Sequence, residues 1–202
     1  MIAELLFQMV FDLVFILAVG LYLRYCKGIR SLKEIVKSVG LIFRTPKKDI
    51  FATFSLFIAI LGVSFLVSII GMSILPNDSQ NITSVILEIT SQSWIFIIYL
   101  FIVRIAIEEI FFRGFLMKQL QEWFSGISPG TGAISNNFGV VVSSLLFGAM
   151  HFGYSSVIEI FGAFILGIIL ALAARRNGTI IPNIFAHMLY NALIVGFAVM
   201  AV

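Results

Sequence analysis

The chain has 202 residues, of which 60% are hydrophobic and 11% charged. Soluble domains run about 45–50% apolar and about 25% charged, so this composition, with 21 phenylalanines and a mean hydropathy of +1.10, excludes a soluble globule and a disordered chain. A single cysteine excludes a disulfide scaffold, and a net charge of +3 with no soluble basic face excludes nucleic acid as a partner.

What remains is an all-α polytopic membrane bundle of about six transmembrane helices, each needing about 20 mostly apolar residues. In chain order the apolar segments are Leu5–Leu23, Ile50–Leu75, Trp94–Leu120, Phe138–Phe152, Ile158–Ala174 and Thr179–Val202. Their lengths favour helix, and the alternating polar residues of a membrane barrel are missing. Glu4 stands where a cleavable signal would carry cations. The first segment therefore reads as an anchor and not as a signal peptide.

Arg24, Lys27, Arg30, Lys33, Lys37, Arg44, Lys47 and Lys48 all lie between the first and second segments. Arg113 and Lys118 lie toward the inner end of the third, and Arg175 and Arg176 between the fifth and sixth. Six spans put these connections on one side, which the positive-inside rule assigns to the cytoplasm. Asp78 and Glu159 fall near the loops of the other side. Within the basic connection, Leu32, Ile35, Val36, Val39, Ile42 and Phe43 follow helical spacing. That pattern predicts a helix over 31–43 lying on the inner leaflet, mainly as an orientation anchor. Gly126, Pro129, Gly130 and Gly132 predict a mobile loop over 119–137, with Trp123 and Phe124 at the interface. Asn81-Ile82-Thr83 matches a glycosylation acceptor, a short and weak pattern. Cys26 reads as an unmodified thiol near a membrane face.

Ionisable groups at the bilayer centre cost about 2.5–3.5 kcal/mol each on insertion scales, so each needs an explanation. Asp12 and Glu88 stand alone and read as local hydrogen-bonding or protonated acids near span ends. Glu108 and Glu109 are adjacent inside the third segment. Four-residue spacing lets Arg104 reach Glu108 and Arg113 reach Glu109. Mutual neutralisation of four buried charges is one reading, but it leaves their presence unexplained. His151 closes the fourth segment, and His187 and Asn191 share a face of the sixth; singly, each is compatible with interhelical hydrogen bonding. At 1.5 Å per residue, Glu108 is about 18 Å from the inner end of its helix, His151 about 20 Å along its own, and His187 and Asn191 about 12 and 18 Å along theirs. All four fall near one depth, provided the third segment is one long helix.

A carboxylate beside a histidine can deprotonate water, and a second histidine with an amide can donate to a developing oxyanion. These parts suit water attack on an amide. Gly126-Ile127-Ser128-Pro129-Gly130 fits Gly-x-Ser-x-Gly, but a membrane helix precedes the serine and a Pro-Gly turn follows it, unlike the strand–elbow–helix that motif needs. Two histidines and a glutamate could form a zinc set, although His-Glu-x-x-His is missing and a metal leaves Asn191 and one glutamate without roles. The reading is therefore no cofactor and no metal site, with Zn as the alternative.

Three motifs resemble the CAAX protease and bacteriocin-processing (abortive-infection) family of intramembrane proteases, which includes the type II CAAX prenyl endopeptidases. They are Glu108-Glu109-Ile110-Phe111-Phe112-Arg113 with Gly114 following, Phe147-Gly148-Ala149-Met150-His151, and His187-Met188-Leu189-Tyr190-Asn191. The run Arg175–Pro182 is similar to the family's usual approach to the third motif. The resemblance covers about 94–191. It implies that Glu108 and His151 activate water, that His187 and Asn191 form an oxyanion hole, and that Glu109 and Arg113 hold the site, with Glu109 also able to assist; Arg104 is read as supporting Glu108 from its four-residue spacing. It also implies a glutamate-type mechanism, a site opening toward the cytoplasm, and a membrane-associated peptide or protein substrate, prenylated ones included. Residues 1–93 carry no family motif, which divides the chain into N-terminal membrane helices (1–93) and a protease core (94–202). The leading expectation is an intramembrane endopeptidase. A non-catalytic immunity or scaffold protein binding a peptide in the same cavity is the alternative, and an ion or proton pathway is the third.

Overall fold

The computed structural model describes residues 2–78, 84, 87–88 and 91–200. Among them all regular structure is helical. The expectation of an all-α bundle is borne out. α1 spans Ile2–Tyr25, the short α2 Leu32–Ser38, and α3 Pro46–Ile74. α4 is one continuous helix over 94–127, α5 is Gly132–Ala149, α6 Val157–Asn177 and α7 Ile181–Met200. The Asn81-Ile82-Thr83 acceptor lies outside the described residues.

Three helices (Pro46–Ile74, Gly132–Gly153 and Val157–Asn177) are long and apolar enough to cross a membrane. The burial pattern fits a lipid solvent. On α3, only Asp49, Thr53, Leu56 and Ile60 are buried, a stripe with 4-3-4 spacing. Phe51, Phe54, Ile58 and Phe65 are exposed on the remaining faces. On α1 the buried stripe is Asp12, Val19 and Leu23. In water such faces would be an aggregation hazard; in lipid they cost nothing. The common core joins Leu56 and Ile60 of α3, Phe112 of α4, Phe147 of α5, Ala163, Leu166 and Leu170 of α6, and Ala186 of α7.

Two expectations about connections are corrected. The predicted loop over 119–137 shrinks to Ser128–Thr131, because α4 continues through Ile127 and α5 begins at Gly132 rather than Phe138. Gly126 is tolerated inside the helix, and the Phe124–Phe138 ring stack at 4.6 Å holds the two helices together across the turn. The predicted amphipathic helix ends at Ser38 and does not present one lipid-facing stripe. Ile35 and Val39 pack inward with Val19 and Leu23, while Leu32, Val36 and Phe43 stay exposed. The break follows from Gly40, whose φ of +81° is a conformation glycine adopts without strain. Its carbonyl accepts from Ile180 N (2.9 Å) and Thr179 Oγ1 (3.0 Å).

Those bonds close one end of the bundle. Lys118 Nζ donates to Ser38 O (2.6 Å), Arg44 Nη1 to Asn177 O (3.4 Å), and Arg44 Nε pairs with Asp49 (2.7 Å). Lys27 pairs with the exposed Glu122, which raises the lysine's pKa. The three basic connections therefore gather at this end. The opposite end is organised by Asp78, which accepts from Ser156 Oγ (2.5 Å) and from the first backbone amides of α6, Val157 N (3.2 Å) and Ile158 N (2.9 Å). These donors hold the Asp78 carboxyl below its ordinary value of 3.8.

Candidate active site

The site is built on α4, which is not uniformly α-helical. Tyr99–Arg104 and Ile110–Leu116 are π-helical, on either side of the single α turn Ile105–Glu109 that carries the paired acids. π segments widen the helix and recur at functional sites. Glu108 and Glu109 diverge because successive helical residues point about 100° apart.

Glu109 points into the protein and is fully buried. Its Oε1 accepts from Arg113 Nη1 (2.8 Å) and from His187 Nδ1 (3.0 Å), and its Oε2 accepts from Asn183 Nδ2 (3.3 Å). Asn183 Nδ2 also donates to Leu170 O (2.7 Å), tying α4, α6 and α7 together. Arg113 is 1% exposed. Its Nη2 has no hydrogen-bond acceptor among the described residues. The guanidinium instead lies over the Phe147 ring at 4.1 Å, a cation–π contact. Gly114, directly after Arg113, admits the chain of the α2–α3 connection: a Cβ there would meet Val39 O at 2.4 Å.

Glu108 faces the other way. It lines a cavity of about 190 Å³ with Arg104, His151, Glu159, His187, Tyr190 and Asn191. The structure thus brings Glu108, His151, His187 and Asn191, drawn from three segments of the chain, onto one wall space. Arg104 Nε donates to Glu108 Oε1 (3.1 Å). His151 sits in the short 3₁₀ turn Met150–Tyr154 that follows α5, and its Nδ1 contacts Phe147 O at 2.9 Å. A carbonyl only accepts, so Nδ1 is the donor in this contact. The same logic at His187, whose Nδ1 meets a carboxylate, makes Nδ1 the donor there.

Three participants escaped the sequence reading. Asp12 is not isolated near a span end. It is 2% exposed, accepts from Tyr99 Oη (2.5 Å), and lies 3.9 Å from Arg104 Nη1. Glu159 belongs to the first turn of α6 and lines the cavity rather than a loop. Asn183 precedes His187 by four residues on α7, and that spacing was the available signal. Glu88 is exposed and takes no part. Cys26 is also exposed and outside the cavity. Ser128 caps the end of α4 at the turn and lines no part of it, leaving the Gly-x-Ser-x-Gly match without a role.

The cavity's depth also bears on access. Its lining comes from the second half of α3 (Ser64, Ser68), the first half of α4 (Leu100, Phe101), the start of α6 (Ile158, Glu159) and the second half of α7 (Ile194, Val195). These residues lie between mid-bundle and the Asp78 end. The basic end is closed by the hydrogen bonds of Gly40, Lys118 and Arg44.

Among the described residues no three His, Cys, Asp or Glu side chains are grouped to hold a metal ion.

A membrane-embedded helical bundle with a carboxylate, two histidines and an amide around one internal cavity defines the class of this protein. The model of the family described as type II CAAX prenyl endopeptidase Rce1-like matches residues 90–193, just over half of the chain. The chain belongs to that protease family. No curated protein and no solved structure matches it.

Proposed function

We propose that this protein hydrolyses a peptide bond in a membrane-associated protein or peptide, with prenylated substrates the first class to test. The observation that carries the proposal is the convergence of Glu108, His151, His187 and Asn191 on one cavity of about 190 Å³. In this reading water lies between Glu108 and His151. Glu108 takes its proton, and the hydroxide oxygen bonds to the substrate carbonyl carbon. The carbonyl oxygen becomes an oxyanion that accepts hydrogen bonds from Asn191 Nδ2 and His187 Nε2. For that donation His187 must carry both ring protons, since Nδ1 already gives its proton to Glu109. Collapse of the intermediate breaks the C–N bond, and the proton held by Glu108 passes to the departing amine. Products are a new carboxyl terminus and a free amine. Arg104 positions Glu108, while Glu109, Arg113 and Asn183 fix His187.

A second hollow of about 690 Å³, lined by Phe43, Ile50, Phe54, Phe185 and Leu189 among others, lies on the opposite face of α7 and supports a substrate that carries a lipid. Six spans with the basic end in the cytoplasm is the topology the cation placement supports. The scissile bond then reaches the cavity from within the bilayer or from the Asp78 side. Cysteines placed at Ser64 or Ser68 should react with a permeant thiol reagent and not with an impermeant one added at the basic end.

The deciding experiment incubates the purified protein in lipid nanodiscs with farnesylated and unmodified C-terminal peptides and reads products by mass spectrometry. Cleavage that disappears in Glu108→Ala and His151→Ala is expected. Cleavage that persists in both overturns the mechanism.

A further inference from the structure

Behind Glu108 and His151, on the side away from the larger cavity, lies a second chamber of about 60 Å³. It is lined by Asp12 and Phe15 of α1, Arg104, Glu108 and Phe112 of α4, Phe147 and Met150 of the α5 segment, and His151. One water needs about 10–15 Å³ of such space and two to four polar partners. Four of the lining side chains are polar: Asp12, Arg104, Glu108 and His151. Arg104, Glu108 and His151 line both spaces, so they form the partition between them. The chamber exists because α1 is docked there. Phe15 stacks on Phe111 (centroids 4.4 Å apart), and Tyr22 meets Phe115 edge-on (5.3 Å). Asp12 lies one turn from Phe15 on the same face, with one oxygen held by the Tyr99 hydroxyl and the other toward Arg104.

We propose that this chamber is a water site feeding the hydrolytic step, and that Asp12 is its positioning residue; the inference rests on the hydrolase reading above. A substrate that fills the 190 Å³ cavity displaces water from it, yet hydrolysis consumes one water per bond cut. A separate polar chamber on the far side of Glu108 and His151 resolves that conflict. Asp12 serves it in two ways. Its carboxylate accepts from the stored water, and it keeps the Arg104 guanidinium between two carboxylates so that Glu108 holds its orientation. Asp12 lies outside the family-matched region 90–193, so the N-terminal half supplies part of the site.

Two measurements on the full-length protein in nanodiscs test this. The first is X-ray radiolytic footprinting, which oxidises side chains beside bound water. Phe112 and Phe147 are 3% and 1% exposed. They should label in the wild type and lose that labelling in Asp12→Leu. No labelling in the wild type, or equal labelling in Asp12→Leu, overturns the water site whether or not any peptide is cut. The second is cleavage of a fluorogenic farnesylated peptide. Asp12→Asn should lower kcat by about ten- to a hundredfold, the scale of a misplaced reacting group, with KM within about twofold. Asp12→Glu should recover part of the loss, and all variants should keep the wild-type melting temperature within a few degrees. Unchanged kcat in Asp12→Asn, or a loss confined to KM, overturns the positioning role. Failure of the wild type to cut the peptide counts against the hydrolase reading, and the footprinting still decides the chamber.

Discussion

Glu108 and Glu109 are neighbours on one helix turn and live in different environments. Glu109 is sealed among Arg113, His187 and Asn183, with its carboxylate accepting from all three. Glu108 faces two cavities and receives one arginine bond within its own helix. The contrast teaches how one helix turn can hold two acids in opposite environments. The sealed acid organises the bundle, and the open acid is left with room for water.

The largest effect that tests this contrast is on turnover. Glu108→Gln should reduce cleavage of the farnesylated peptide by about 10²–10⁴-fold, the usual share of a general base, with little change in melting temperature. If Glu108→Gln instead unfolds the protein, the two acids are not divided as described. Next comes stability. Glu109→Ala or Arg113→Ala leaves a buried charge without its partner and should cost about 3–5 kcal/mol, read from unfolding in mild detergent. Full thermal stability in either variant would end the sealed-clasp account. Asn183→Leu should cost less, about 1–3 kcal/mol, because it deprives Glu109 and Leu170 O of one shared donor. Gly114→Ala should cost about the same, since its methyl meets the Val39 carbonyl and forces the connection away from α4. A Gly114→Ala protein with wild-type stability would show that this connection can move freely.

The smallest effect is at the far end. Asp78 is held below its ordinary value of 3.8 by Ser156 and the α6 amides. Its folded-state pKa is therefore lower than its unfolded one. The stabilisation is complete above about 3.8 and fades as the pH falls through the folded value. Asp78→Asn should remove that contribution at neutral pH and flatten stability against pH in the acid window, so that variant and wild type converge at the lowest pH. An acid limb identical in wild type and variant would remove Asp78 from the account.

Much of the fold was legible because lipid imposes a simple code. Runs of apolar residues near 20 long had to be helices, and charge had to gather at their ends. Trp94–Leu120 read as one long helix, and α4 is continuous over 94–127. Its two π segments were not legible, since nothing in the local spacing of Tyr99–Arg104 or Ile110–Leu116 marks them. The 119–137 segment misled because its glycines and proline were counted together, whereas only the turn at Pro129 and Gly130 breaks the helix. Of the site, the Arg104–Glu108 and Glu109–Arg113 pairs were visible as four-residue spacings. Asp12 reads as isolated in the sequence because its partner Tyr99 lies 87 positions away, beyond any local rule.

Sequence alone determined the membrane class, the helical periodicity, the gathering of basic connections at one end, and the presence of acids and histidines too costly to be incidental. Those properties are set by composition and by residues within a helical turn of one another. Only the tertiary structure decided which acid is sealed and which is open, because that depends on which helix packs on each face of α4. It also decided that α1 joins the site and that the cavity runs toward the end away from the cations. Both follow from long-range docking: the aromatic contacts of Phe15 and Tyr22 on α4, and the Gly40 carbonyl that closes the basic end on Thr179 and Ile180.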